Sequence, residues 1–196
     1  MINPGVFKVD QTNRLYMPLL KGLGGMTAVS YAALSVHGQG IEGPSSGCSM
    51  CSAVYDYEIS YTPKNWLHDA LTHNWPPFIE LNIVNAARVT PVFDPNNTFM
   101  QLYIGPLESA YCIYYENRSD EIISKYGGKK NLPPHIQFCR IIRNGIAHGN
   151  RINITDGIYG ELNGLKISDL DNGKSLTYDL VTQADYIFMM ILLDRE

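Results

Sequence analysis

Residues 182–194, TQADYIFMMILLD, place the strictest demand on the fold. Thr182 is a suitable N-cap, and the run after it has no polar side. A helix that is apolar all round cannot lie on a surface, so it must be covered on every side, by other helices or by a second subunit. The rest of the chain can provide such cover, since hydrophobic residues make up 45% and charged residues only 17%, with no signature of disorder. At 196 residues it suits one domain, or one domain with an extension.

The second half reads as helical. Residues 100–118 form an apolar helix entered or kinked at Pro106, and Ser119 is an N-cap candidate for a further helix over 119–127. After Pro134, HIQFCRIIRNGIAHG places Ile136, Cys139, Ile142 or Gly145, and Ile146 at three- and four-residue spacing, with Gly149 as a C-cap. Asn172-Gly173 between alternating runs predicts a small β-hairpin near 164–179. In the first half, residues 17–36 read as a helix weakened by glycines, and KGLGGMT within it is a poor phosphate loop because no strand precedes it. Residues 64–74 suggest a short helix ending at Pro76-Pro77, and 78–89 another, with Ile79, Ile83, Ala86 and Ala87 on one side. Trp66 and Trp75 read as core anchors. The expected class is mainly α, with residues 1–97 as a helical extension packed on a domain of residues 98–196.

A formal charge of −4 argues against coating nucleic acid by bulk electrostatics. The distribution says more. No acid occurs from Ile122 to Thr155, a window that holds Lys125, Lys129, Lys130, Arg140, Arg143 and Arg151 with His135 and His148, as expected for a defined anionic ligand. Cys112 and Cys139 sit in apolar runs as buried thiols, and the lone CSMC of Cys48 and Cys51 is a weak metal or redox signal even with His37 nearby. The opening MINPGVFKVD lacks a secretory-signal pattern and residues 23–36 are too short to span a bilayer, so the expected setting is cytoplasmic, with no membrane and no cofactor.

The polar group that needs explaining is RNGIAHG, residues 143–149, at the end of a buried helix. Arg143 offers a rigid fork that matches a phosphate, Asn144 can hold either neighbour or a phosphate oxygen, and His148 can move a proton near neutral pH. That set suits metal-free RNA cleavage, in which the ribose 2′-OH is the nucleophile and a guanidinium stabilises the charged phosphorane. One copy makes a thin site, and two copies across a two-fold axis would double it. The structural alternative is that both cations bind the helix's last carbonyls, favoured by the helix dipole.

The same residues resemble the R-(x)4-H signature of HEPN domains, with the polar residue directly after the Arg. The resemblance covers roughly residues 98–196 and implies an antiparallel helical bundle. It also implies a homodimer whose motifs face one cleft and metal-independent endoribonuclease activity leaving a 2′,3′-cyclic phosphate. Arg143 and His148 would then be catalytic, Asn144 supporting, and Arg140, Arg151, Lys129 and Lys130 RNA-binding. Toxin or anti-phage roles, with an antitoxin or regulatory protein as partner, follow from the same resemblance, and so does the alternative of a silent module that binds RNA or protein. The Tyr that is adenylylated in some family members corresponds to Asn150 here, so that control is not expected. Gly145 and Ala147 would let another backbone approach, as a dimer cleft needs.

Overall fold

A computed structural model describes residues 2–36, 48–63, 75–91 and 98–196. The described elements are β1 (Gly5–Asp10), α1 (Tyr16–Val36), β2 (Cys48–Cys51), β3 (Tyr57–Tyr61), β4 (Phe78–Asn85), α2 (Thr98–Lys125), α3 (Pro134–Ala147), β5 (Gly160–Leu162), β6 (Leu165–Ile167), α4 (Leu176–Asp179) and α5 (Gln183–Asp194). Single 3-10 turns lie at Lys129–Asn131 and Asp169–Asp171. The expected helix over residues 64–74, with Trp66, and the position of His37 lie outside the described residues.

The fold is mixed α/β, which corrects the expectation of a mainly helical bundle. Strands β1, β4, β3 and β2 lie side by side in that order in an antiparallel sheet. The difference turns on residues 78–85. Ile79 and Ile83 satisfy a helical spacing, but with Leu81 between them they also satisfy the two-residue period of a strand, and that period prevails. Ile79, Leu81 and Ile83 are buried while Phe78, Glu80, Asn82 and Val84 alternate outward. On the inner face Val9 lies opposite Ile79, Phe7 opposite Leu81, and Ile59 opposite both Ile83 and Met50. Such pairs stabilise a sheet by about 0.2–1 kcal/mol each.

Helix α5 explains why the sheet must exist. Its residues from Ala184 to Ile191, and Leu193, are all buried within this one chain. Phe188 meets the rings of Tyr55 and Tyr57 at 4.9 and 6.0 Å on the sheet side, and Tyr186 meets Tyr111 of α2 at 5.5 Å on the other. Burying one such aromatic contributes about 1.5–3 kcal/mol. The helix is therefore covered by the sheet as well as by helices, and it is not available as a dimer face. Its start is held at the predicted Thr182 cap. Asp185 accepts the N–H of Thr182 at 2.8 Å and of Ala53 at 3.1 Å, together with the Ser52 hydroxyl, tying α5 to the loop after β2.

Three other expectations change. Helix α2 runs unbroken through Pro106 and Ser119, so the two helices expected at 100–118 and 119–127 are one. The hairpin is β5–β6, turning at Asn163-Gly164 with φ of 49° and 86°, rather than at Asn172-Gly173. Trp75 is 42% exposed and anchors no core. KGLGGMT lies within α1, where two of its three glycines serve packing: a Cβ on Gly22 would stand 2.7 Å from Leu107, and one on Gly25 would stand 2.5 Å from Pro106. The CSMC segment is strand β2, whose alternation sends Cys48 and Cys51 to opposite faces. Among the described residues no helix is long and apolar enough to cross a membrane.

Candidate functional site at the end of helix α3

Helix α3 begins where Pro134 occupies the first turn, needing no N–H partner there. Ile136, Cys139, Ile142 and Gly145 are buried, as the spacing predicts, and so is Phe138, whereas Ile146, expected on the same side, is only half-buried. The next face carries Arg140, Arg143 and Asn144 and looks across a groove of about 270 Å³ at α2. Tyr115, Glu116, Ser119 and Asp120 of α2 line its other side, and Lys129 also borders it.

Arg143 is incompletely satisfied in this groove. Its Nη2 pairs with Glu116, its Nη1 donates to Asn144 Oδ1 at 3.2 Å, and its buried Nε has no partner among the described residues. An unmet buried donor costs about 1–3 kcal/mol, and Nε, being enclosed, is not itself open to a ligand in the groove. Lys129, also in the groove, has no side-chain partner among the described residues. Arg140 is more constrained, donating to Gln137 at 2.7 Å and pairing with Asp156 at 3.1 Å.

His148 caps the helix with its backbone, donating its N–H to Asn144 and Gly145 carbonyls at 3.1 Å. Its imidazole is exposed and bonds to no group among the described residues. Neither the Arg143 nor the His148 side chain holds a terminal carbonyl, so the purely structural alternative does not describe them. Gly149 follows at φ 79°, the left-handed turn expected of a C-cap glycine. Asn150 continues at φ 63°, and the chain reverses so that the Arg151 N–H returns to the Gly145 carbonyl at 3.2 Å. Gly145 is needed for this reversal. A Cβ there would stand 2.4 Å from Leu176 of α4 and 3.1 Å from the Arg151 carbonyl, so the close approach it permits is within the chain and not to a second copy.

No family model, curated protein or solved structure matches this chain. The site must be read from its own geometry.

Of the residues singled out in the sequence, Arg143, Asn144, Arg140 and Lys129 share the groove. His148 stands at the end of the same helix, and Arg151 lies past it on a second cavity, its Nη1 donating to the Gly173 carbonyl at 2.8 Å. Lys130 is exposed and lines neither hollow. No sequence signal pointed to Glu116, nor to Glu108 on the second cavity, because both come from α2 and only the tertiary fold brings them to α3. Burial pushes the Cys112 thiol up to about 11, although Arg143 draws it down, so this neighbour stays protonated and unreactive near neutral pH.

The arrangement places a half-buried guanidinium, an amide hydrogen-bonded to it and an exposed imidazole along the last turns of one helix. It can bind a phosphodiester and exchange a proton with a group next to it.

Proposed function

We propose that this protein is a metal-independent endoribonuclease using HEPN-type chemistry, acting in the cytoplasm as a toxin or anti-phage effector held in check by an antitoxin or regulatory protein. The observation that carries the reading is the pairing of two groups around one helix end. His148, exposed and without a partner among the described residues, stands five residues beyond a partly satisfied Arg143, whose groove also holds Lys129 and Arg140.

The scissile phosphate lies against Arg143, with Lys129 and Arg140 holding the neighbouring phosphate. The ribose 2′-oxygen attacks phosphorus, the P–O5′ bond breaks, and the products are a 2′,3′-cyclic phosphate and a 5′-hydroxyl. His148 takes the 2′-OH proton or delivers one to the leaving 5′-oxygen. Arg143 stabilises the charge on the phosphorane, and Asn144 orients Arg143 through their hydrogen bond. The second acid or base comes from a second copy in a homodimer. The outward side of α2 is the surface that suits this pairing: Leu102 and Ile113 are 60% and 54% exposed, and Ile113 precedes Glu116, the partner of Arg143, by one helical turn. A monomer by light scattering at micromolar concentration would remove the dimeric form of the proposal.

The Arg143–Glu116 ion pair favours a second reading, a silent module that binds RNA or a protein without cleaving it. Incubation of labelled structured RNA with purified protein in excess EDTA separates the two. Cleavage by wild type and none by Arg143→Ala supports the enzyme, whereas RNA retained intact by folded, dimeric wild type supports the silent module.

A further inference from the structure

Past His148 the chain turns through two left-handed residues in succession. Gly149 at φ 79° is an ordinary helix stop, but Asn150 follows at φ 63°, a conformation that costs any side chain, asparagine less than most. Glycine would take the same turn without that cost. Such a residue persists where its surroundings fix it, and here three contacts do so. The Asn150 carbonyl accepts the Leu176 N–H at 3.0 Å, and its Oδ1 accepts the Thr177 N–H at 3.4 Å and stands 3.0 Å from the Thr177 hydroxyl. Both N–H groups belong to the first turn of α4, where they have no partner inside the helix.

Thr177 is the hub of this hold. It is 3% exposed, and its Oγ also lies 2.5 Å from Glu108 Oε1 and 2.9 Å from the Tyr186 hydroxyl. One hydroxyl carries one hydrogen, so Thr177 alone cannot serve both Glu108 and Asn150. The Tyr186 hydroxyl, 3.2 Å from the same carboxylate oxygen, brings a second hydrogen to the pair. Tyr186 is fully buried in α5 and Glu108 stands on α2, so the turn after His148 is tied to three other helices.

His148 depends on such a tie. Its imidazole bonds to no group among the described residues, so its backbone alone places the ring. That backbone, at φ −107° and ψ 35°, has already left α3, which holds it only from upstream. We propose that Asn150 and Thr177 are positioning residues for His148, fixing from downstream the turn that presents the imidazole. The inference rests on the ribonuclease reading for its effect on rate, whereas its claim about the turn is measurable without cleavage. A catalytic group misplaced by about 1 Å can cost up to about 100-fold in rate.

The test compares wild type with Asn150→Gly, Thr177→Val and Thr177→Ser. It reads kcat and KM on labelled RNA in excess EDTA, the urea midpoint, and backbone order parameters from ¹⁵N relaxation. Asn150→Gly keeps the turn and removes the side-chain hold, so its urea midpoint should stay close to wild type while kcat falls about tenfold. KM should stay within about twofold, because Lys129, Arg140 and Arg143 line their own groove. Thr177→Val keeps the shape without the hydroxyl and should lose kcat to a similar extent, and Thr177→Ser should recover most of it. Order parameters at His148 and Gly149 should fall from about 0.85 to below about 0.6 in the two impaired variants.

Asn150→Gly carries the test if Thr177→Val does not fold. A role confined to capping α4 would lower the urea midpoint and leave kcat of the folded protein unchanged, and that result overturns the inference. Unchanged order parameters, or a Thr177→Ser variant as slow as Thr177→Val, overturn it too. Wild type that cuts no RNA sinks the ribonuclease reading instead. The order parameters then judge the hold by themselves, upholding it if they fall in the variants and overturning it if they do not.

Discussion

Two arginines reach from the paired helices toward a glutamate of α2, and they differ in what surrounds them. Arg118 is 2% exposed, pairs with Glu121 and donates to the Leu193 carbonyl at 3.3 Å. Around it Arg14 pairs with Asp194 at 2.8 Å, Tyr114 donates to the same carboxylate at 2.7 Å, and Lys125, Tyr126 and His135 all engage Glu196. Arg118 Nε has no partner among the described residues, and the other groups lock the end of α5 and the residues after it onto the turn before α1, onto α2 and onto α3. Arg143 also has an α2 glutamate and an unmet Nε, but it opens on a groove beside a histidine with no partner among the described residues. The two arginines thus differ in access: a polar cluster closed within the fold holds it together, and one that opens on a groove at a helix end is available for a ligand.

The contrast fails outright if the two arginines prove interchangeable. Arg143→Ala and His148→Ala should each lower RNA cleavage by about 100-fold or more while leaving the urea midpoint close to wild type. Arg118→Ala should do the reverse, lowering stability by about 2–4 kcal/mol through the loss of a buried, hydrogen-bonded charge, with any surviving folded protein still cutting RNA. Gly145→Ala should cost about 1–3 kcal/mol, since the new methyl overlaps Leu176 and the Arg151 carbonyl, and it should displace the loop after His148. Chemical denaturation and residual activity measured on one preparation will show whether both effects appear.

Smaller effects refine the same contrast. Glu116→Gln should leave stability within about 0.5 kcal/mol, because exposed pairs contribute little, and should tighten RNA binding roughly threefold by freeing Arg143. On the closed side, burial raises the Glu196 carboxyl, but its bonds from Tyr126, His135 and Lys125 outweigh this and hold it at about 2, below its usual 4.5. With the folded value depressed, the stabilisation is fully present above about 4.5 and is lost as pH falls toward 2. Glu196→Gln should flatten acid unfolding over that window without changing RNA cleavage at neutral pH.

How much the sequence disclosed depends on the range of the forces involved. Helix α3, its proline start, its glycine stop and the Thr182 cap of α5 are local, and each was readable. Residues 78–85 were not, because a short apolar run satisfies both periods and only pairing with β1 and β3 decides between them. The small, partly polar strands β2 and β3 hold too few apolar residues to announce a sheet. At the site, Arg143, Asn144 and His148 were legible as a motif, whereas Glu116, Glu108 and Thr177 reach it only through tertiary contacts. The apolar helix at 183–194 correctly demanded cover on every side, but did not say which element supplies it.

The decisive measurement is the chemistry of the RNA ends. Labelled RNA treated with wild type in excess EDTA should carry 2′,3′-cyclic phosphate and 5′-hydroxyl termini, and both should vanish with His148→Ala. Termini bearing 3′-hydroxyls, or the same cyclic ends made at full rate by His148→Ala, would contradict the assignment of this helix end as the catalytic site.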